Sequence, residues 1–130
     1  MKEVFFNPNF INLLVKIDYQ LSPGASPDLG AVYTYKLWEA NSGALADLQT
    51  GNNLNDDDDL YALPTPLSKN NDRIVDVLST LSNFGSTTIE MRVRIQFFQE
   101  GTLIDEHIVE KIIEPNTTIP TESFIRLKSN

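Results

Sequence analysis

The sequence predicts an all-β fold, an antiparallel sandwich, and two observations support that prediction. Several segments alternate apolar and polar side chains with the period of two that is typical of a half-buried strand. Turn-forming residues separate these segments, and the alternation of strand and helix patterns that predicts a parallel sheet is missing. With 130 residues, of which 41% are hydrophobic, the chain is long enough to fold as a single domain, residues 1–130, around one core.

The first two strands are predicted at residues 11–21 and 31–39. In the first segment every second residue is apolar or aromatic, and in the second Tyr33, Tyr35 and Leu37 share one face. Between the two segments, SPGASPDLG contains prolines, glycines and serines and therefore predicts a loop.

Residues 40–71 are predicted to form a long decorated loop, because the alternation stops there. Within it, Ser42 and Gly51 are placed to cap one short helix over residues 43–50. Structureless connections longer than about 12–15 residues are uncommon in compact domains unless they carry function or are mobile. The sequence therefore indicates this segment as a candidate functional region.

The second half of the chain predicts further strands. Residues 72–84 fit both a helical stripe and a strand, and their β-branched residues favour the strand. Glu100 and Gly101 supply a tight turn, for which glycine gives the positive φ. The remaining segments are predicted as the most regular strand, its hairpin partner, a loop and a last short strand, at residues 86–98, 102–113, 114–122 and 123–128.

Residues 72–128 resemble bacterial immunoglobulin-like sandwich modules. The resemblance lies in the turn of LSNFGSTT between Asn83 and Gly85, the alternating strand after it, the turn at Gly101, the return strand, and EPNTT before the last strand. It implies an immunoglobulin-like topology and a role as a spacer, adhesion unit or assembly part.

Composition restricts the chemistry that is available. Without cysteine, the chain has no disulfide, no thiolate nucleophile and no cysteine-ligated metal. Acidic residues outnumber basic ones by 18 to 10, which argues against nucleic acid or anionic lipid as a partner. Neither a signal peptide nor a run of about 18 apolar residues is visible, so we expect no membrane insertion and leave the compartment open.

A run of four aspartates carries half of the formal net charge of -8, since 14 acidic residues remain against 10 basic ones without it. With a preceding asparagine, these side chains offer oxygen ligands for calcium, although Leu60 stands where an EF-hand needs glycine. A block of like charges is also typical of a solvated loop. The candidate calcium ligands are Asn55, Asp56, Asp57, Asp58 and Asp59.

We predict no catalytic residues and do not expect an enzyme. His107 is the only histidine, and no nucleophile turn of the kind found in hydrolases accompanies it. Glu106 and Glu110 share one face of the return strand, and we expect them to pair with Arg92 and Arg94 across the hairpin.

Two apolar features are candidates for partner binding: an N-terminal arm, residues 1–9, and the proline-bracketed patch after the aspartates. The candidate residues are Phe5, Phe6, Leu60, Tyr61 and Leu63. These side chains can project towards a partner or fold back over the core, and the sequence leaves both possibilities open.

The predicted function is a noncatalytic structural or binding module. It would contact a protein partner, or further copies of itself, in a larger assembly such as a virion, an injection apparatus or a cell-surface complex. The alternative is calcium-dependent binding of carbohydrate or lipid through the aspartate loop. No cofactor other than calcium is expected.

Overall fold

The computed structural model describes residues 1–21, 29–52 and 59–130 and shows two packed β-sheets, which confirms the predicted all-β sandwich. The only helical segment in these ranges is a 3₁₀ turn at Leu67–Asn70, and none of their helices is long and apolar enough to cross a membrane. The strands are β1 (Lys2–Phe6), β2 (Leu14–Leu21), β3 (Leu29–Trp38), β4 (Leu45–Asn52), β5 (Leu60–Ala62), β6 (Ile74–Asn83), β7 (Ile89–Gln99), β8 (Thr102–Ile113) and β9 (Thr117–Ser129).

The strands form one five-stranded and one four-stranded sheet. The five-stranded sheet has the order β1-β9-β6-β3-β4, and the four-stranded sheet has the order β5-β2-β7-β8. Neighbouring strands are antiparallel except β1, which lies parallel to β9. The segments between β4 and β5 and between β2 and β3 contain the residues outside the described ranges.

The core lies between the two sheets and contains alternate residues of each strand. On β3, the predicted inner residues Tyr33, Tyr35 and Leu37 are at most 3% exposed. All the residues of the predicted apolar row of β7 are also buried in the core, and each is at most 4% exposed. That row is Ile89, Met91, Val93, Ile95 and Phe97.

The turn between β7 and β8 forms as predicted. It has two residues, Glu100 and Gly101, and both have positive φ, 50° and 74°. Positive φ at both positions characterises a type I′ turn, whose twist matches that of the flanking strands. The resulting hairpin places Arg92 opposite Glu110, as expected, whereas Arg94 pairs with Asp18 on β2.

The predicted loop over residues 40–71 is wrong in its described part. β4 extends the five-stranded sheet along β3, β5 extends the other sheet along β2, and the 3₁₀ turn follows. The predicted helix over residues 43–50 is therefore a strand. Ser42 and Gly51 resemble helix caps in sequence, but hydrogen bonding to the free edge of β3 satisfies this backbone as a strand instead.

The N-terminal segment folds back over the core, which is one of the two possibilities that the sequence leaves open, and its strand β1 completes the core. Val4 and Phe6 are 0% and 1% exposed, and Phe5 points to the opposite side with 57% exposed. Two buried apolar side chains and the ladder with β9 hold the strand in place. The adjacent segment is fixed through Gln99, whose amide accepts from Asn7 N at 2.8 Å and donates to Asn7 O at 2.9 Å.

Residues 72–84 form a strand, as predicted, and other boundaries differ. β2 begins at Leu14, so Ile11 lies outside it and is 80% exposed. β9 begins at Thr117, inside the predicted loop over 114–122. Pro120 is tolerated there because β1 pairs only with Ile125 and the residues after it, which leaves this half of β9 without a neighbour on that side.

Two neighbouring phenylalanines test the role of β1. We expect Phe6→Ala to lower the free energy of unfolding by about 3–5 kcal/mol, because it leaves a cavity in the core. Phe5→Ala, as the matched control, should change it by less than about 0.5 kcal/mol. Urea denaturation of both variants measures the difference, and equal effects would contradict the assigned alternation of β1.

Candidate functional site

The outer side of the five-stranded sheet exposes a set of large apolar residues. Val32, Leu48, Leu78 and Phe124 are between 39% and 52% exposed and belong to β3, β4, β6 and β9. In the strand register Leu78 is the diagonal neighbour of Val32 and of Phe124. Lys36 and Asp76 lie between Leu48 and Phe124. We call this surface the apolar face. Its outward residues on these four strands include Trp38, Ile74, Lys36, Asp76, Glu122, Arg126, Thr34, Thr50 and Thr80.

Two shallow depressions lie on the apolar face. One, of about 560 Å³, is lined by Trp38, Ile74, Phe124 and Arg126 together with the turn after β3. The second, of about 430 Å³, lies between β3, β4 and β6 and is lined by Val32, Leu78 and several threonines. Aromatic and aliphatic side chains around shallow depressions are typical of the anchoring positions of protein interfaces.

A carboxyl pair lies in the middle of the apolar face. Asp76 is 4% exposed, and its Oδ2 accepts a hydrogen bond from Trp38 Nε1 at 2.9 Å. Its Oδ1 has no partner in the described ranges. Desolvation, together with the hydrogen bond and the charge of Asp76, raises the pKa of Glu122, and the Lys36 ammonium opposes the rise. Once both carboxyls are ionised, neither can donate, so Asp76 Oδ1 is left without a donor.

The outer side of the four-stranded sheet has a different character, because its charges are paired within the chain. Arg92 donates to Glu110 at 2.7 Å, and Arg94 donates to Asp18 at 2.6 Å. The neutral side chain of Gln96 also donates a hydrogen bond to a carboxylate across the hairpin, that of Glu106, at 3.2 Å. This surface is a conventional solvated sheet face with cross-strand pairs.

The sheet edges carry features that disfavour the addition of another strand. β8, an edge strand, points Asp105, His107 and Lys111 inward at its rim, and Asp105 pairs with Lys2 at 3.1 Å. The unpaired half of β9 contains Pro120, and β5 has only three residues. Inward charges, proline and short strands are known ways to prevent edge-to-edge pairing. Strand addition at β8, at β5 and at the unpaired half of β9 is therefore disfavoured, whereas β1 and β4 are the edges of the five-stranded sheet.

The predicted patch at residues 60–63 lies beside a cluster of all four tyrosines of the chain. Tyr61 stacks on Tyr35 with ring centroids 5.2 Å apart, and its hydroxyl contacts that of Tyr33. Tyr19 completes the cluster, and its hydroxyl bonds Ser79 at 2.8 Å. Desolvation raises the pKa of Tyr19, Tyr33 and Tyr35 above the ordinary value. Tyr61 thus serves the interior of the sandwich.

The other predicted partner-binding residues are divided between core and surface. Leu63 and Phe6 are 3% and 1% exposed, so they have no surface to offer a partner. Leu60 is 45% exposed on the outer side of the four-stranded sheet. Phe5 lies opposite Lys128 in the register and borders the apolar face.

Most of the predicted calcium ligands, Asn55 to Asp58, lie outside the described residues, and the calcium site stays a prediction. Asp59 is described, and its main-chain oxygen accepts from Ile17 N at 2.9 Å. Among the residues that the structure describes, there is no group of three or more His, Asp or Glu side chains arranged to hold a metal.

The remaining titratable residues offer structural roles. Burial lowers the pKa of His107, the Lys2 ammonium lowers it further, and Asp105 opposes both effects. Glu106 and Glu110 are engaged in the cross-strand contacts of the four-stranded sheet. Comparison of the chain with protein-family models, with curated protein sequences and with solved structures gave no match.

The apolar face was missed by sequence reasoning, although a signal for it exists. Residues 72–84 fit two periods because Val75 and Val77 point inward while Ile74 and Leu78 point outward. A strand that is apolar on both faces imitates a helical stripe. That ambiguity is therefore the sequence signature of an exposed apolar sheet face.

Gly51 gives a test of the tyrosine cluster. A Cβ at this position would lie 2.6 Å from Tyr33 Cε1 and would also overlap the Tyr33 hydroxyl. We expect Gly51→Ala to lower the free energy of unfolding by about 1–3 kcal/mol, because the ring must move. Gly43→Ala, where nothing lies within 4 Å, is the control. Equal stability of both variants in urea denaturation would contradict this packing.

Glu122 gives a test of the carboxyl pair. Because its pKa is raised in the folded state, ionising Glu122 costs stability, and this cost disappears below the ordinary pKa of glutamate. We expect Glu122→Gln to be more stable than the wild type near pH ~7 and this advantage to shrink towards pH ~4. Glu90→Gln, on the other sheet, controls for the loss of one charge. An advantage that is independent of pH would contradict the assignment.

Proposed function

We propose that this domain is a noncatalytic module that makes protein–protein contacts in a larger assembly and that its contact surface is the apolar face. The observation that carries the proposal is the exposure of Val32, Leu78 and Phe124, which are diagonal neighbours in the strand register, on a sheet face where Lys36, Arg126 and Glu122 make no salt bridge within the described residues. The other sheet also exposes apolar side chains, such as Ile112, but its Arg92 and Arg94 are paired with carboxylates of the same chain. Soluble proteins rarely leave large adjoining apolar side chains uncovered unless they bind something.

The composition of the apolar face supports a protein as the occupant. Trp38 and Phe124 provide aromatic anchors beside one shallow depression, and threonines line the other depression together with Val32 and Leu78. Interfaces between proteins combine an apolar, aromatic centre with a polar rim in this way. The surface is broad and has no deep cavity among the described residues, which suits a protein better than a small molecule.

The protected edges support the same proposal. A module that joins others by strand addition needs an open edge, whereas β8 and β9 carry inward charges and a proline. Association through the sheet face avoids these protected edges. The resemblance to bacterial immunoglobulin-like modules stays a prediction, and the assembly role of such modules is in line with the proposal.

Site-specific photocrosslinking tests the proposal. A photoreactive phenylalanine analogue replaces Leu48 on the apolar face or, as a control, Ile112, which is 68% exposed on the four-stranded sheet. The tagged chain is expressed in its source cells. We expect a discrete crosslinked product from position 48 and none from position 112, because only the first side chain is covered in the assembly. Products from position 112 alone, or from neither position, would contradict the proposal.

A further inference from the structure

We infer that the occupant of the apolar face is a second copy of this chain, packed face to face about a two-fold axis. In this arrangement Lys36 of each copy lies over Glu122 of the other. The inference rests on the proposed function and names the partner. Three properties of the apolar face carry it: its charge balance, the absence of salt bridges at Lys36, Arg126 and Glu122 within the described residues, and the positions of these residues in the register.

The apolar face is neutral in a strongly acidic chain. The outward positions of the five-stranded sheet hold three acidic and three basic residues, while the whole chain has a formal net charge of -8. These six residues are Glu3, Asp76, Glu122, Lys36, Arg126 and Lys128. A second copy therefore meets no net repulsion at this surface, whereas a basic partner would be drawn to other parts of the chain.

The charges on the outer side of the five-stranded sheet are only partly paired within the chain, where Lys128 pairs with Asp72 and Asp76 accepts from Trp38. In the described ranges, Lys36, Arg126 and Glu122 make no salt bridge, and Asp76 Oδ1 and Arg126 Nε have no hydrogen-bond partner. On the opposite sheet face Arg92 and Arg94 each make a salt bridge, although Arg94 Nε has no hydrogen-bond partner in the described ranges. Lys36 lies over the Trp38 ring, 5.5 Å from its centroid, where it is held without a carboxylate. Groups left unpaired in one copy can be satisfied by a second copy.

The register gives the symmetry of the contact. Lys36 on β3 and Glu122 on β9 lie on either side of β6. In the strand register, Asp76 of β6 is opposite Lys36, and Leu78 of β6 is opposite Glu122. A two-fold axis that lies between the two copies and crosses over β6 between Asp76 and Leu78 places Lys36 of each copy over Glu122 of the other copy. Each copy then supplies a cation to the other copy's carboxyl pair, and Leu78 and its apolar neighbours fill the centre. Such an isologous contact closes as a dimer and does not propagate.

The first arm of the test measures self-association by sedimentation velocity and light scattering across micromolar to millimolar protein. The wild type should be a dimer at the upper concentrations. Leu48→Ser and Phe124→Ser, both at exposed positions, should each weaken dimerisation at least about tenfold. Ile112→Ser, which removes a more exposed side chain from the other sheet, should leave it unchanged. Circular dichroism and urea denaturation confirm that each variant is folded.

The second arm exchanges the charges. Lys36→Glu and Glu122→Lys should each weaken dimerisation, because like charges then meet across the axis. An equimolar mixture of the two variants should restore it as a heterodimer, in which both contacts pair opposite charges. Rescue by mixing depends on contacts between copies, so an effect on folding within one chain cannot produce it.

Four results would overturn the inference. If the wild type stays monomeric at millimolar concentration while position 48 still crosslinks to a different protein, the inference of a second copy as the occupant is wrong and the proposed function stands. If the wild type is monomeric and position 48 gives no product, both fail. A dimer that Leu48→Ser and Phe124→Ser leave intact, or that the mixed charge variants do not restore, also contradicts the inferred packing.

Discussion

The pairing of β6 with a strand on each side is the constraint on which the rest of the structure depends. Ten residues of β6, Ile74 to Asn83, are in register with β3 on one side and with β9 on the other. A slip of one residue in either ladder would exchange the inner and outer rows of β6. The same register thus builds the core from Val75 and Val77 and assembles the apolar face around Asp76 and Leu78.

The N-terminal strand shows why a segment that is apolar in sequence need not be a contact element. β1 covers only the last part of β9, from Ile125 onwards, and its Val4 and Phe6 close the core at that edge. The cost of ordering a terminal strand is offset by burying two large side chains and forming a ladder. Phe5 lies on the other side of the same strand and borders the apolar face.

Alternation along single strands could be predicted from sequence, whereas the pairing of strands could not. Ile89 to Phe97 show one period without competition, and the turn at Glu100 and Gly101 fixes their hairpin locally. β4 and β5 become strands because distant edges of β3 and β2 accept them, and a local pattern does not contain that information. The apolar face could not be predicted for the same reason, since Val32, Leu78 and Phe124 become neighbours only when β3, β6 and β9 pair.

Electrostatics and packing point to the same surface through independent observations. Where the chain meets solvent on the four-stranded sheet, Arg92 and Arg94 are paired with carboxylates within the chain. On the five-stranded sheet, apolar side chains are exposed beside charged residues that make no salt bridge within the described ranges, and a buried carboxylate oxygen has no donor there. Each of these features costs free energy in an isolated domain, through exposed apolar area or unsatisfied polar groups. One covering surface that is apolar and supplies a cation near Asp76 removes all of these costs together, and the chain's own apolar face has both properties.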